Sequence, residues 1–262
     1  MRKVNTKKQV KDFWEGRARV VTESTKVTHP DIWQRWLEIQ MIKRFLKKDR
    51  VLDIGCGNGH TTRLIAPFVK NIVGIDYSPE MIKRAHAELE KSLAKKVVFE
   101  VGDVTKLNPS DFGKFDLAIS ERCLINLGSW EAQKTAIANI ASVVKNGGRY
   151  LFVEGCKDGR DGLNNFRKKM GLTKMPKVWH NIDFEKGRTF TYLKKYFKIE
   201  KYLHFGIYDF VARVVHPLMV APKNPTYDSK FNEMAAKLAL ESQEFGDISR
   251  VLFLVLKRKI SR

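Results

Sequence analysis

Short apolar runs alternate with helix-like stretches along residues 50–155 of the chain. Five of these runs predict strands, and they lie at residues 50–54, 71–77, 97–104, 115–120 and 149–154. The runs are short and rich in Val, Ile and Leu, as is typical of strands buried within a sheet.

Helical spacing fills the intervals between these runs. Ser78 followed by Pro79 predicts a helix start, because serine caps helix N-termini and proline is favoured in the first turn. A second helix is predicted over 130–144, where apolar residues recur at helical spacing. We expect Asn146-Gly147-Gly148 to end that helix before the fifth strand, because glycine commonly follows helix C-termini.

Strands that alternate with helices in this way predict βαβ units and therefore a parallel sheet. No internal repeat, low-complexity tract or linker interrupts the sequence, so we expect one doubly wound α/β domain with elaborations. In such a sheet, ligands bind outside the carboxyl ends of the strands, near the point where the strand order reverses.

The first predicted strand runs directly into a glycine-rich stretch, VLDIGCGNGH, at residues 51–60. Gly55, Gly57 and Gly59 occupy alternate positions, and a helix-like segment begins at His60. A strand that passes through glycines into a helix lets the backbone approach a nucleotide closely. A tight turn without a ligand has the same pattern, and a dinucleotide-binding Gly-x-Gly-x-x-Gly would need glycine at position 60.

Each of the first three predicted strands ends in an aspartate, namely Asp53, Asp76 and Asp103. Asp76 lies about twenty residues beyond the glycines, where an acidic side chain can accept two hydrogen bonds from a ribose diol. The carboxyl edge of the sheet is therefore the predicted ligand site.

Composition argues against several classes of protein. Hydrophobic residues make up 43% of the 262 residues, which is normal for a globular protein, and no apolar run approaches the length of a membrane span. Three cysteines without CxxC spacing argue against a disulfide framework and a structural zinc site. The N-terminal sequence lacks the apolar stretch of a secretory signal, so we expect a cytoplasmic protein.

The chain is strongly basic, with 49 Lys and Arg against 29 Asp and Glu, a formal net charge of +20. Such a balance attracts polyanions, so nucleic acid, an anionic membrane surface and a phosphorylated substrate are all candidate partners. The basic residues are scattered, usually in pairs beside apolar residues, which equally fits a solvated surface. The charge leaves both interpretations open.

Five motifs occur in order along residues 51–148, and they are VLDIGCGNG, GIDY, GDV, FDLAI and NGG. Together they resemble the class I S-adenosylmethionine-dependent methyltransferases, and the resemblance covers roughly residues 40–155. VLFLVLKRK at 251–259 looks like the last, antiparallel strand of that fold. The resemblance implies a Rossmann-like, doubly wound and mostly parallel seven-stranded sheet, with S-adenosylmethionine as cofactor and S-adenosylhomocysteine as product.

The resemblance also implies roles for residues of the glycine stretch and the second strand. The glycine turn would pass under the methionine part of the cofactor, with backbone at Gly55 and Cys56 in contact. Asp76 would hold the ribose hydroxyls. Asp53 and Gly57 are further cofactor-binding candidates in these motifs.

The later motifs imply contacts to the adenine and to the methionine part. Tyr77 and Met81 would flank the adenine, while Asp103, with Val104 beside it, would accept a hydrogen bond from the adenine amino group. Two residues that follow the fourth strand's apolar run would lie near the methionine part: Ser120 and Arg122.

The chemistry of such a site is modest, because the methyl group on a sulfonium is already activated. The protein must align a lone pair with it and remove a proton where the acceptor carries one. No metal is required, and a general base is optional.

Substrate choice is expected to come from parts outside the shared core. Residues 1–40 are predicted to form a helical lid, and residues 41–262 a methyltransferase domain with insertions at about 156–187 and 207–248. Three residues in the insertions are candidates for acceptor binding or for a base: His180, Tyr208 and Arg213.

The predicted function is methyl transfer to a small acceptor, anionic acceptors included, through an oxygen or nitrogen nucleophile. Methylation of RNA or another nucleic acid is the alternative, suggested only by the charge, since no RNA-binding module is recognisable. A cofactor-binding regulator without catalysis is a third possibility. The acceptor, and the choice between a monomer and a homodimer, stay open.

Overall fold

The computed structural model describes residues 6–260 and contains one seven-stranded sheet. Its strands are β1 Arg50–Ile54, β2 Asn71–Asp76, β3 Val97–Val101, β4 Phe115–Glu121, β5 Val144–Gly155, β6 Phe197–Leu203 and β7 Val251–Arg258. They lie in the order β3-β2-β1-β4-β5-β7-β6, and β7 runs antiparallel to both of its neighbours. The order reverses between β1 and β4, which places the switch point beside the glycine stretch. The predicted fold class is confirmed.

Helices cover both faces of the sheet. They are α1 Lys7–Val20, α2 Ile32–Lys43, α3 His60–Ile65, α4 Pro79–Ala87, α5 Pro109–Phe112, α6 Trp130–Val143, α7 Lys157–Lys169, α8 Lys186–Leu193, α9 Gly206–Phe210, α10 His216–Val220 and α11 Lys230–Glu241. A π-helical turn, Val211–Val215, joins α9 to α10. At the start of α4 the Ser78 hydroxyl accepts a hydrogen bond from Met81 N at 3.2 Å, and Pro79 follows it, so this predicted helix start is confirmed.

Two apolar cores lie on opposite faces of the sheet, because successive side chains of a strand point to opposite sides. One core packs beneath α2, α4 and α11 and includes Leu37, Ile42, Val51, Ile72 and Leu117. The other packs beneath α6 and includes Leu52, Phe115, Ile137, Tyr150 and Phe152. Packing in these cores holds β1, β2 and β4 in place, and thereby positions their carboxyl ends.

The predicted end of the helix before β5 differs from the structure. This helix, α6, ends at Val143, and the NGG motif at 146–148 lies within the bounds of β5. Register shifts there, so that Phe115 pairs with Val144 but Leu117 pairs with Arg149. Val144 is β-branched and has extended backbone, so the strand starts before the glycines, which form an irregularity inside it.

Of the predicted lid, residues 1–5 lie outside the described residues, and residues 6–40 divide between two environments. Leu37 and Ile42 of α2 belong to a main core, and the boundary predicted at residue 40 falls inside α2. The preceding helix, α1, packs against α4 through a small cluster that includes Ala18, Val27 and Met81. Within residues 6–260, no helix is long and apolar enough to cross a bilayer.

Candidate active site

A cavity of about 500 Å³ opens at the carboxyl ends of β1, β2 and β4. The glycine turn forms its floor, and residues of α1, α2 and the 175–181 segment line its other sides. Ligand sites of doubly wound sheets lie at this edge, and cavities of this size hold small molecules. The predicted ligand edge of the sheet thus carries a formed cavity.

The glycine turn keeps its shape through left-handed backbone and hydrogen bonds to β2. Gly55 has φ +73°, and a Cβ atom there would lie 2.4 Å from Cys123 Sγ. The backbone N–H groups of Gly55 and Cys56 both donate to Ile75 O, at 2.8 and 3.0 Å. Because these two N–H groups already donate to Ile75 O, a ligand at the turn would contact backbone carbonyl oxygens and the Cα atoms of the glycines.

Asp76, at the end of β2, joins the glycine turn to the start of α4. Its carboxylate accepts hydrogen bonds from Gly57 N at 2.9 Å and from Ser78 N at 2.8 Å, one on each oxygen. Burial raises the pKa of this carboxyl group, while the two backbone donors oppose the shift. Each oxygen has a second lone pair, and Asp76 lines the cavity, so it can accept two further hydrogen bonds from a diol.

The residues predicted for the adenine lie together on one side of the cavity. Tyr77, Met81, Asp103 and Val104 all line it. Lys7 of α1 reaches over them, with its Nζ 2.5 Å from Asp103 Oδ2 and 4.5 Å from the centre of the Tyr77 ring. This contact joins α1 to the side of the cavity that is predicted for the adenine.

The carboxylate of Asp103 is held ionised by its donors. Burial acts to raise its pKa, but hydrogen bonds from the Lys7 ammonium and from the hydroxyl and backbone N–H of Thr105 lower it below the usual value.

Two residues predicted near the cofactor lie at different depths. Asp53 lines the cavity and accepts a hydrogen bond from Thr62 Oγ1 at 2.5 Å, and burial raises its pKa to about 6. Ser120 is fully buried, and its hydroxyl lies 2.7 Å from Tyr150 Oη. In the described part of the chain, Ser120 is not among the residues that line the cavity.

Arg122 lies at the cavity in a strained backbone conformation. Its φ of +53° is left-handed, which is uncommon for a residue other than glycine. The guanidinium donates to Glu38 Oε1 from Nη2 at 2.7 Å and from Nε at 3.0 Å. This pair joins the end of β4 to α2, so Arg122 acts as a link across the cavity wall.

His180 lies in a group of aromatic rings at the cavity. Its ring centre is 4.7 Å from Phe13 and 5.2 Å from Trp14, both in α1, and 5.1 Å from Trp179. His180 Nδ1 lies 2.7 Å from Asn126 Oδ1, and burial lowers the pKa of the ring to about 4. The ring is therefore neutral at neutral pH.

Tyr208 and Arg213 converge on Asp31, the residue that caps α2. The Tyr208 hydroxyl donates to Asp31 Oδ1 at 2.5 Å, and the Arg213 guanidinium forms an ion pair with Asp31 Oδ2. Arg213 lines the cavity from the π-helical turn, whereas Tyr208 is fully buried and is not among the lining residues of the described chain. Of these two acceptor-site candidates, only Arg213 is therefore exposed to the cavity.

Arg35 and Glu121 are among the charged residues that line the cavity but that the sequence interpretation did not assign to the acceptor site. Arg35 is 6% exposed, and its Nη1 donates to Thr25 O at 3.2 Å. Glu121 accepts a hydrogen bond from Thr61 Oγ1 at 2.6 Å. Burial, followed by the charge of Glu38, raises the Glu121 pKa to about 8, although Arg35 opposes the shift.

His29 also lines the cavity and was likewise not assigned to the acceptor site. Its Nδ1 lies 2.8 Å from Asp31 O, and since a carbonyl oxygen only accepts, Nδ1 carries the hydrogen and Nε2 the lone pair. Burial, together with four nearby arginines, holds the pKa of His29 well below its usual value.

The sequence did contain a signal for Arg35 and Glu121. Arg35 and Glu38 are charged residues spaced by three in a helix with the apolar neighbours Trp36 and Leu37, which places both charges on one buried face. Glu121 is the last residue of β4, so the rule that selected other strand ends also applies to it.

Taken together, the seven-stranded sheet with an antiparallel β7, the left-handed glycine turn and Asp76 at the end of β2 define a class I methyltransferase fold with a nucleoside-type site. The sequence matches the family described as "Methyltransferase domain" over residues 46–203, more than half of the chain. The chain belongs to this family, and its class is that of the S-adenosylmethionine-dependent methyltransferases.

Similar proteins agree with this assignment. The chain is 31% identical over 105 residues to the uncharacterized methyltransferase YcgJ of Bacillus subtilis, covering 40% of each protein. It is 40% identical over 76 residues to magnesium-protoporphyrin O-methyltransferase of Rhodobacter capsulatus, covering 29% of this chain and 33% of that protein. The matches thus span well under half of these relatives.

A structural comparison extends over nearly the whole chain. The structure of magnesium protoporphyrin IX methyltransferase from Synechocystis, with bound S-adenosylhomocysteine, superposes with a TM-score of 0.61 at 18% identity. The superposition covers 97% of this chain and all of that one, and at this identity it establishes the fold.

Proposed function

We propose that this protein transfers the methyl group of S-adenosylmethionine to an oxygen or nitrogen atom of a small acceptor, by in-line displacement. The observation that carries the proposal is Asp76, which stands beside the glycine turn with a free lone pair on each carboxylate oxygen. That arrangement fits the two hydroxyl groups of a ribose.

The residues around Asp76 fit the rest of the cofactor. Apolar side chains of Met81 and Val104, with the Tyr77 ring, offer a surface for the adenine, and Asp103 supplies an acceptor for its amino group. The carbonyl oxygens of the glycine turn, from Gly55 onward, suit the ammonium group of the methionine part. When bound, the cofactor supplies an electrophilic methyl group on a positively charged sulfur.

A small acceptor fits the way the cavity is covered. Trp14 of α1 lines one side, and its Nε1 donates to Asn126 Oδ1 at 3.3 Å, while Arg213 lines another side. The protein's part in the reaction is then to exclude water, orient the nucleophile and receive its proton. The relative from Rhodobacter capsulatus, named for O-methylation of magnesium-protoporphyrin, provides a precedent for a small acceptor.

A reducing compartment such as the cytoplasm fits the three cysteines, which are all free in the structure. This location is part of the proposal.

Calorimetry with S-adenosylhomocysteine and NAD tests the proposal. We expect S-adenosylhomocysteine to bind with a dissociation constant in the low micromolar range or tighter, and NAD to show no measurable binding. Binding of NAD without binding of S-adenosylhomocysteine would contradict the methyltransferase function.

Asp76→Asn makes that experiment specific to the ribose contact. Asparagine keeps an oxygen for one backbone donor, whereas alanine would leave the N–H groups of both Gly57 and Ser78 unpaired. We expect S-adenosylhomocysteine binding to weaken by about 2 kcal/mol, the scale of hydrogen bonds to a charged group. Asp116→Asn is the matched control, because Asp116 lies at the start of β4 and does not line the cavity. This variant should bind S-adenosylhomocysteine as the wild type does.

A further inference from the structure

Arg35 is a buried cation that lines the cavity. Its guanidinium has five N–H donors, of which one contacts Thr25 O. Among residues 6–260, no carboxylate oxygen lies within 4.0 Å of its guanidinium nitrogens. Three other arginines at the cavity have such a partner, since Arg122 pairs with Glu38, Arg213 with Asp31 and Arg250 with Asp209. Arg17 also lines the cavity without a carboxylate, but two of its nitrogens donate to the carbonyl oxygens of Val27 and Lys26. Arg35 is therefore equipped to bind an anion from the cavity.

Glu121 faces the same cavity from the end of β4. Ser120 pairs with Ile54 in the sheet, so Glu121 follows beside Gly55, where the glycine turn begins. Thr61 Oγ1 donates to one of its oxygens, Oε2, at 2.6 Å, and no cation lies within ion-pair distance of the carboxylate among the described residues. A carboxylate at this position, with a free oxygen, can receive a proton beside the methionine side of the cavity.

Charged groups from several elements surround Glu121. Glu38 and Arg35 face it from α2 and Asp53 from β1, and Arg122 follows it in the chain. Burial and the negative charges raise its pKa to about 8, so a nearby positive charge would shift it toward the ionised form.

We propose that Arg35 binds a carboxylate or phosphate group of the acceptor and that Glu121 accepts the proton from its nucleophile. This rests on the proposed methyl transfer. The bond between the cofactor's sulfur and the methyl group breaks, a bond forms between the methyl group and the acceptor oxygen or nitrogen, and the sulfur keeps the electron pair. The acceptor's proton passes to the Glu121 carboxylate, and thence to solvent. The acceptor is thus an anion that also carries a hydroxyl or amino group.

Glu121 has an alternative role, as partner of the cofactor's ammonium group. The two roles differ in which positive charge of the ligand lies near the carboxylate. Both S-adenosylmethionine and S-adenosylhomocysteine carry the ammonium group, whereas only the former carries the sulfonium charge. A Glu121 that faces the reacting atoms should respond to the first ligand more than to the second.

Proton release on binding measures this difference directly. We expect calorimetry at pH 7.5, in buffers of different ionisation enthalpy, to show more proton release with S-adenosylmethionine than with S-adenosylhomocysteine. Glu121→Gln should abolish the excess and change the affinity for S-adenosylhomocysteine less than threefold. Asp116→Asn, on the same strand, should keep the excess.

Two results would overturn the role of Glu121. One is equal proton release with both ligands. The other is a tenfold or greater loss of affinity for both ligands in Glu121→Gln, which would assign the carboxylate to the ammonium group. If neither ligand binds to the wild type, the proposed methyltransferase function fails instead.

Arg35 is tested with anions on the enzyme saturated with S-adenosylhomocysteine. Benzoate and inorganic phosphate serve as the carboxylate and phosphate probes, and the melting temperature is followed at constant ionic strength. We expect the melting temperature to increase saturably with at least one probe. The affinity for that probe should be weakened tenfold or more in Arg35→Gln. Arg35→Lys should keep part of the affinity, because lysine preserves the charge without the planar arrangement of donors.

Arg149→Gln is the matched control for loss of a partly buried arginine, since Arg149 pairs with Asp49 away from the cavity. It should keep the probe affinity of the wild type even if it melts at a lower temperature. No saturable response in the wild type, or an unchanged response in Arg35→Gln, would overturn the anion site. The probe that saturates distinguishes a carboxylate acceptor from a phosphate acceptor.

Discussion

Three carboxyl groups at the ends of neighbouring strands are buried, and burial is the main cause of the raised pKa of each. The values are about 6 for Asp53, about 8 for Glu121 and about 7 for Glu154. Glu154 accepts hydrogen bonds from Leu124 N and Ile125 N, so it shapes the segment after β4. Glu121 has fewer donors and faces the cavity, as expected of a functional rather than a structural carboxyl group.

The raised pKa of Glu121 predicts how stability depends on pH. In the unfolded chain this group ionises near 4.5, and in the folded protein near 8. Between these values the folded state binds more protons, so its contribution to the free energy of unfolding falls as pH rises and levels off above about 8. We expect Glu121→Gln to resemble the wild type at pH 5 and to gain relative stability toward pH 8, as measured by urea denaturation. A constant difference at all pH values would contradict the raised pKa.

The residues of the site differ in how far the sequence could reveal them. Asp76 ends an apolar run about twenty residues after three glycines, so a local sequence pattern is enough to predict it as a site residue. The spacing of Arg35 and Glu38 indicates a buried charged face on α2, but it does not show that the Arg35 guanidinium lacks a carboxylate partner, because that depends on distant residues. The burial of Ser120 against Tyr150 likewise depends on the pairing of β4 with β5.

At the scale of elements, α1 covers the cavity from outside the two main cores, through a small apolar cluster, aromatic contacts to His180 and polar contacts. Val10 and Ala18 are its buried residues, while Lys7 reaches Asp103 and Trp14 reaches Asn126. An element held by a small cluster and by contacts at a rim opens more readily than one anchored in a main core. The lid that the sequence predicts for residues 1–40 stays a prediction, and α1 is the element in that range to test for it.

Lys7→Ala tests the attachment of this lid. An ion pair at the surface contributes at most about 1 kcal/mol, so we expect S-adenosylhomocysteine to dissociate up to about fivefold faster, with little change in melting temperature. Stopped-flow fluorescence measures the rate. Lys8→Ala, an exposed neighbour in the same helix, removes the same charge and should leave the rate unchanged. Tighter binding in Lys7→Ala would mean that Lys7 competes with the adenine for Asp103.

A second arrangement of elements is centred on Asp31. This buried carboxylate caps α2 by accepting from Gln34 N at 3.1 Å, and it also binds Tyr208 of α9 and Arg213 of the π-helical turn. Apolar spacing can indicate helices in this region, but it gives no sign of the π-helical turn or of its contact with α2. The physical reason is that the turn is fixed by partners almost two hundred residues away.

A double-mutant cycle between Tyr208 and Asp31 tests this arrangement. We expect Tyr208→Phe to reduce the free energy of unfolding by about 1.5–3 kcal/mol, since it removes a hydrogen bond to a charged group, and to leave cofactor affinity nearly unchanged. In an Asp31→Asn background the same change should cost much less. Tyr192→Phe, whose hydroxyl contacts Lys134 O, is the control and should be additive with Asp31→Asn. Full additivity for Tyr208 would show that its hydroxyl does not depend on Asp31.

At the scale of the whole molecule, the net charge is strongly positive, but the charges that line the cavity are more nearly balanced. The formal net charge is +20, yet at the cavity cations are largely matched by carboxylates, as Arg122 is by Glu38 and Lys7 by Asp103. The excess charge therefore lies mostly on the surface, and there it attracts polyanions without directing them to the reacting site.

Binding of nucleic acid should accordingly be weak, indifferent to sequence and without methyl transfer. We expect affinity for total RNA and for duplex DNA to fall steeply between about 50 and 200 mM salt, because each phosphate contact releases counterions. With tritiated S-adenosylmethionine, no label should enter either polymer, since α1 and the π-helical turn border a cavity of about 500 Å³. The unlabelled polymers should leave binding of S-adenosylhomocysteine unchanged. Tritium incorporated into RNA by the wild type, and incorporated more slowly by Asp76→Asn at subsaturating cofactor, would establish a nucleic-acid methyltransferase and reject the small acceptor.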